Sequence, residues 1–214
     1  GLKGADTLIG GQGGDSYIVD DVNDVVIEYA DSPQTVVRVS TDRSDQEANG
    51  SSIGGVFSAD GTQVLFDSNA SNLVADDTND VYDVFVKDIK TGEITRISTD
   101  ATGKQANGDS FGVVFSADGT KVLFESAASN LVANDTNGKI DVFLKDLKTG
   151  EITLVSANGS AEGFNGNSYA VALSADGTKI LFNSDANNAV ISDTNSVTDA
   201  FIKDLTTGEI TRVS

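Results

Sequence analysis

Apolar residues along this chain come in short runs rich in β-branched and aromatic side chains, with turn residues between the runs. Phe111-Gly112-Val113-Val114-Phe115-Ser116 is followed by a turn at Asp118-Gly119 and then by Lys121-Val122-Leu123-Phe124-Glu125-Ser126. A long polar stretch leads to Asp141-Val142-Phe143-Leu144-Lys145-Asp146-Leu147. A second short turn, Lys148-Thr149-Gly150-Glu151, leads to Ile152-Thr153-Leu154-Val155-Ser156. Such runs suit a pleated, half-buried surface, and Asp-Gly between two of them is hairpin chemistry. No stretch carries helical periodicity. The pattern predicts four antiparallel strands joined by alternating short and long connections.

The same pattern occurs three times at a constant interval of 58 residues: Phe57-Ser58-Ala59-Asp60-Gly61 returns at Phe115 and, as Leu173-Ser174-Ala175-Asp176-Gly177, at Leu173. Asp77-Thr78-Asn79 and Thr91-Gly92-Glu93 return at the same spacing. A fixed period without insertions means one supersecondary unit used three times, each burying its apolar face against the next. Four antiparallel strands per unit make a propeller blade. The expectation is an all-β chain in which residues 35–214 form β-propeller repeats, with blades at about 54–98, 112–156 and 170–214. Val36-Val37-Arg38-Val39-Ser40 matches Ile94-Thr95-Arg96-Ile97-Ser98 in register, which predicts an extra fourth-type strand at 36–40 with no blade before it. Val64, Phe66, Val122, Phe124, Ile180 and Phe182 are the predicted core, with Phe85, Phe143 and Phe201 expected between neighbouring blades.

The Ser-Ala-Asp-Gly turns, the Asp-Val-Phe strand and the Thr-Gly-Glu hairpin resemble the blades of TolB-like, WD-type β-propellers over about residues 35–214. The resemblance implies the fold and leaves function open, because this architecture carries scaffolds, lectin-like binders and peptidase lids alike. The units exceed the ~40–45 residues of common WD-type blades. The excess sits in the second-to-third strand loops at 68–82, 126–140 and 184–198, and in the blade-to-blade loops at 41–53, 99–111 and 157–169. In an up-and-down blade both loop types emerge on one face, and loops on a rigid scaffold are where binding usually lives.

Before the blades the pattern changes. Gly1-Leu2-Lys3-Gly4-Ala5-Asp6-Thr7-Leu8-Ile9 and Gly10-Gly11-Gln12-Gly13-Gly14-Asp15-Ser16-Tyr17-Ile18 are successive nonapeptides of the form G-G-x-G-x-D-x-U-x, the first lacking its second Gly. The glycines permit tight turns with positive φ, and the Asp carboxylates offer oxygens to an ion between stacked turns. The segment 1–30 resembles the RTX, or haemolysin-type calcium-binding, family. That resemblance implies a short parallel β-roll with Asp6 and Asp15, and carbonyls near Gly10, Gln12 and Gly13, as Ca²⁺ ligands. The bland alternative is a Gly-rich loop without an ion. Residues 1–34 are read as a roll end and linker, closed by the chain's single proline, Pro33.

Three further patterns carry candidate chemistry. Asp77, Asn79 and Asp83 place oxygen side chains at positions 1, 3 and 7 of a loop, as do Asp135, Asn137 and Asp141, and Asp193, Asn195 and Asp199. These could bind Ca²⁺, but a complete calcium loop needs more ligands. Asx turns tying the loop to its own backbone are the favoured reading. Asn49-Gly50, Asn107-Gly108 and Asn165-Gly166, each followed by Ser at the second place on, are turn chemistry first and a sugar contact second. Asp67 with Asp83, or Glu125 with Asp141, could pair as carboxylates for glycoside hydrolysis. The third unit carries Asn183 at the place of Asp67 and Glu125, and symmetric repetition favours a structural role.

Composition narrows the field. Net charge is −19, which opposes nucleic acid and anionic membrane surfaces. Cys, His, Trp and Met are absent, so disulfides, thiol nucleophiles, ordinary zinc or copper sites and a His-based serine triad are excluded. Abundant oxygen ligands suit Ca²⁺ instead, and no apolar run is long enough for a membrane helix. The leading expectation is a non-enzymatic segment of a secreted or cell-surface RTX-type bacterial protein, its blades serving binding, adhesion or structure. The alternative is an accessory domain of an extracellular hydrolase with its catalytic residues elsewhere. Three blades do not close a ring, so further repeats of the same polypeptide are expected to complete it, or failing that a second chain.

Overall fold

In a computed structural model, residues 7–9, 25–27, 37–158, 163–191, 193–195 and 197–214 are described. The chain divides into two compact units, Gly1–Arg38 and Val39–Ser214, a boundary slightly later than the one expected at 34/35. In the first unit, β1 (Thr7–Ile9) and β2 (Val25–Ile27) pair in parallel, with Thr7 opposite Val25, 18 residues on.

The second unit contains three four-stranded antiparallel sheets, each in simple sequence order. Blade 1 comprises β3 (Ser52–Phe57), β4 (Gln63–Ser68), β5 (Asp83–Asp88) and β6 (Ile94–Arg96). Blade 2 comprises β7 (Ser110–Phe115), β8 (Lys121–Ser126), β9 (Asp141–Asp146) and β10 (Ile152–Leu154). Blade 3 comprises β11 (Ser168–Leu173), β12 (Lys179–Ser184), β13 (Asp199–Asp204) and β14 (Ile210–Arg212). The blades are the predicted ones, shifted two residues toward the N-terminus.

The fourth strands end early for a local reason. The hydroxyls of Ser98, Ser156 and Ser214 accept the Val84, Val142 and Ala200 amides. They donate to Asp83, Asp141 and Asp199. A side chain thus replaces the ladder at the strand end. The same logic corrects the strand expected at 36–40. Val36 lies outside the described residues, and 37–40 belong to no strand. With no blade before them they have no ladder to join. Downstream the register match returns: Ala48 N–H donates to Ser40 O at 3.0 Å, as Ala106 does to Ser98 and Phe164 to Ser156.

The first hairpins are closed by Ser-Ala-Asp-Gly. Gly119 sits at φ +69°, a conformation open to glycine at little cost. Its N–H donates to Ser116 O, and Asp118 accepts the Ser116 and Thr120 hydroxyls. Blades 1 and 3 repeat this turn with Gly61 and Gly177 at φ +70° and +69°.

Each blade receives the first strand of the next. β7 packs on β4 and β5, and β11 on β8 and β9. Gly112 permits the approach: a Cβ there would lie 2.8 Å from Leu65 Cγ. The predicted core residues Val64, Phe66, Val122, Phe124, Ile180 and Phe182 are all buried. Phe143 joins Leu65, Val84 and Val86 between blades 1 and 2. Phe201 joins Leu123, Val142 and Leu144 between blades 2 and 3. Phe85 departs from expectation: it stacks on Phe66 and is covered by Val39, Ala48 and Leu73, because no blade precedes blade 1 among the described residues.

Candidate functional site

The two long loop types meet, as the up-and-down order required, and their polar residues bind each other. Asn107 N–H donates to Asn130 Oδ1 at 3.0 Å, Asn107 Nδ2 to Ser129 Oγ at 3.1 Å, and Ser129 N–H returns to Asn107 Oδ1 at 2.9 Å. Asn49 and Asn165 make the same clamp on 71–72 and 187–188. Gly108 is glycine because a Cβ there would lie 2.9 Å from the Ala127 carbonyl carbon. Ser110 and Ser126 share a hydroxyl contact of 2.8 Å, with counterparts in both other blades. The Asn-Gly-x-Ser groups considered for sugar contact are therefore committed to the scaffold.

The Asp-x-Asn loops are tethered in the same manner. Asn137 Nδ2 donates to Asp141 Oδ2 at 2.7 Å and to Phe164 O at 2.8 Å. Asn79 spans Asp83 and Ala106 O, and Asn195 reaches Asp199 at 3.0 Å. The Asp that opens the third strand thus holds the loop before it and the strand end beside it, the structural role the residue pattern favoured. A second tier links consecutive blades: Tyr82 N–H donates to Asp109 and Ile140 N–H to Asn167, while Ser110 and Ser168 amides donate to Tyr82 O and Ile140 O.

The first Asp of each loop is treated differently in the three blades. Arg96 Nη1 lies 3.0 Å from Asp77 and 3.6 Å from Asp83. Arg212 Nη1 lies 3.5 Å from Asp193 and 3.7 Å from Asp199. In blade 2 the residue at that place is Leu154. Asp135 is only 4 % exposed, its Oδ2 has no hydrogen-bond partner, and its pKa is pushed up to about 6 by burial and the facing Asp141. Sequence reasoning placed Asp135, Asn137 and Asp141 together but passed over the Arg-to-Leu change, which was legible by aligning the fourth strands. Among the described residues no group of three or more Asp and Glu side chains is assembled as a metal cage. Asp6, Gly10, Gln12, Gly13 and Asp15 lie outside the described residues.

The carboxylates considered for hydrolysis are each engaged across a blade interface. Asp67 Oδ1 accepts Gly112 N–H at 2.7 Å, and Glu125 Oε1 accepts Ala170 N–H at 2.7 Å. Burial raises both pKa values, Asp67 to about 6, with Glu125 adding repulsion at Asp67. Asp83 and Asp141, their proposed partners, are held by Ser98 and Ser156 instead.

The structure adds one interblade device that sequence reasoning missed. Lys145 Nζ is buried and donates to Thr99 O at 2.9 Å, Thr99 Oγ1 at 3.1 Å and Asp100 O at 2.9 Å. Lys87 caps Thr41 O, and Lys203 caps Val155 O and Ala157 O. Its signal was a lysine recurring inside each third strand.

No protein-family model and no curated protein matches this chain. Among solved structures, TolB from Acinetobacter baumannii is 21% identical, with a TM-score of 0.47, covering 79% of this chain and 33% of its own. The β-propeller domain of the Trilobed protease from Pyrococcus furiosus, described as having an open velcro topology, is 13% identical with a TM-score of 0.44. It covers 77% of this chain and 43% of its own. The tricorn protease is 14% identical with a TM-score of 0.48, covering 73% of this chain and 14% of its own. The chain thus spans about a third of TolB's length and less than half of the protease domain's. These are likenesses of fold.

Proposed function

We propose that this chain is a non-enzymatic, calcium-binding segment of a secreted or cell-surface RTX-type bacterial protein, whose propeller blades serve as a binding, adhesion or structural scaffold. The observation that carries the scaffold reading is the engagement of the repeated polar residues with one another. The Asn clamps, the Asp-Asn tethers and the interblade carboxylates recur in register and hold loops and blades together. A catalytic centre, by contrast, draws on one asymmetric constellation.

The calcium reading rests on the paired nonapeptides. It is supported by the parallel pairing of β1 with β2 at a spacing of twice nine residues, a whole number of nonapeptides. Stacked turns bring carboxylates together, and a cation relieves their repulsion. Limited proteolysis in calcium and in chelator tests this. Cleavage within residues 1–34 is expected to slow in calcium, with magnesium a poor substitute because it demands a smaller octahedral shell. Equal cleavage in both conditions would sink the calcium reading and leave the scaffold untouched.

A further inference from the structure

Blades 1 and 3 each carry two aspartates facing a common point, and each places its own arginine there: Arg96 between Asp77 and Asp83, Arg212 between Asp193 and Asp199. Blade 2 keeps the two aspartates, Asp135 and Asp141, and the Asn tether that sets their spacing. It replaces the arginine with Leu154, which is buried in the core between blades 1 and 2. Asp141 is satisfied on both oxygens, by Asn137 and by Ser156. Asp135 accepts the Asn137 amide, and its other oxygen, Oδ2, is buried and without a partner; Asp193 also has no hydrogen bond on either oxygen, but it has the Arg212 guanidinium beside it. Lys139 of the same loop makes no ion pair with it among the described residues.

A carboxylate with a buried, unpartnered oxygen beside a second carboxylate is among the costlier arrangements in a protein. The Asn137 amide serves its other oxygen, and a cation from solution would relieve the rest. We infer that the Asp135–Asp141 loop of the middle blade binds a divalent cation of the calcium class, at the point filled by a guanidinium in the flanking blades. The ligands are Asp135 Oδ2 and the Asp141 carboxylate, completed by water. Calcium fits better than magnesium because it accepts irregular, partly aqueous shells of oxygen ligands. Two carboxylates make a weak site, with a dissociation constant on the order of 1 mM. The site is independent of the N-terminal segment.

The test is a calcium titration of the full chain followed by backbone amide NMR, which reads each loop separately. Saturable shifts are expected at Asn137, Gly138 and Ser156, with Asn79 and Asn195 unmoved. Leu154→Arg should abolish the shifts by supplying the missing guanidinium. Asp135→Asn, nearly isosteric, should abolish them as well and guards against misfolding of the first variant. Arg96→Leu should create a second responsive loop in blade 1. Absence of shifts at 135–141, equal shifts in all three loops, or shifts that survive in a folded Leu154→Arg or Asp135→Asn chain would each overturn the inference. The response of residues 1–34 in the same spectra reports on the proposed roll, so the two ideas fail separately.

Discussion

Single residues decide how charge is carried at the blade interfaces. Asp67 accepts an amide that only a neighbouring blade can present, yet burial raises its pKa to about 6 against an ordinary 3.8. A carboxyl that binds its proton more tightly when folded favours folding at low pH. That advantage is lost as pH rises from about 4 through about 6. Asn183 is the neutral version of the same position in blade 3. Asp67→Asn keeps an acceptor for Gly112 and removes the charge. It is expected to raise the melting temperature near neutral pH, by the equivalent of roughly 1–2 kcal/mol, and to give no gain near pH 4. A gain that is the same at both pH values would show that the Asp67 charge is not what costs stability. The pKa values of Asp118, Asp176 and Asp204 are lowered to about 2, held down first by Ser116, Ser174 and Lys179 respectively, so they do not blur this window.

At the scale of elements, the first strand of each later blade packs on the blade before it, and in blades 2 and 3 the third strand adds a Phe and a Lys to that junction. The Phe fills the gap toward the preceding blade, and the Lys caps carbonyls of the connection before its own blade. The cross-strand partner of Phe143 is Phe124, and the two rings stack at 5.5 Å. Phe143→Ala removes a fully buried ring from the blade 1–blade 2 core, at a cost of about 3–5 kcal/mol. The measurement is the urea midpoint, and an unchanged midpoint would mean that the ring is not part of the interface. Strand positions and both short turns were legible because hydrophobic runs and Asp-Gly or Thr-Gly punctuation are local signals. The early end of each fourth strand was not, since it depends on a serine reaching an aspartate about fifteen residues away.

At the scale of the molecule, the three blades follow one another without closing a ring. Phe57 and Phe115 occupy the same register in their blades, yet Phe57 is 65% exposed and Phe115 5%, because blade 1 covers β7 and no blade among the described residues covers β3. Ile53 is exposed on the same strand. An uncovered blade face of this kind is an association surface. Propellers of this class need ~4–8 blades to close. The 214-residue chain is therefore expected to associate with rising concentration. Light scattering over a concentration series checks this, and a monodisperse monomer that scatters as a closed ring would refute it.

The sequence by itself determined the period, the strands, the turns and the core positions, since each is written in residues within hearing of one another along the chain. It also held the Asp-x-Asn spacing, which left a tether and an ion both open. Tertiary structure alone settled which equivalent residues end up with different fates. Phe85 is covered by a loop where Phe143 and Phe201 are covered by a blade, and the strand expected at 36–40 lacks a partner. The Arg-to-Leu change at 154 is written in the sequence, but the burial of Asp135 with an unpartnered oxygen is not. Repeated sequence makes repeated local structure, but burial and ion pairing depend on what stands on the other side, and that differs from blade to blade.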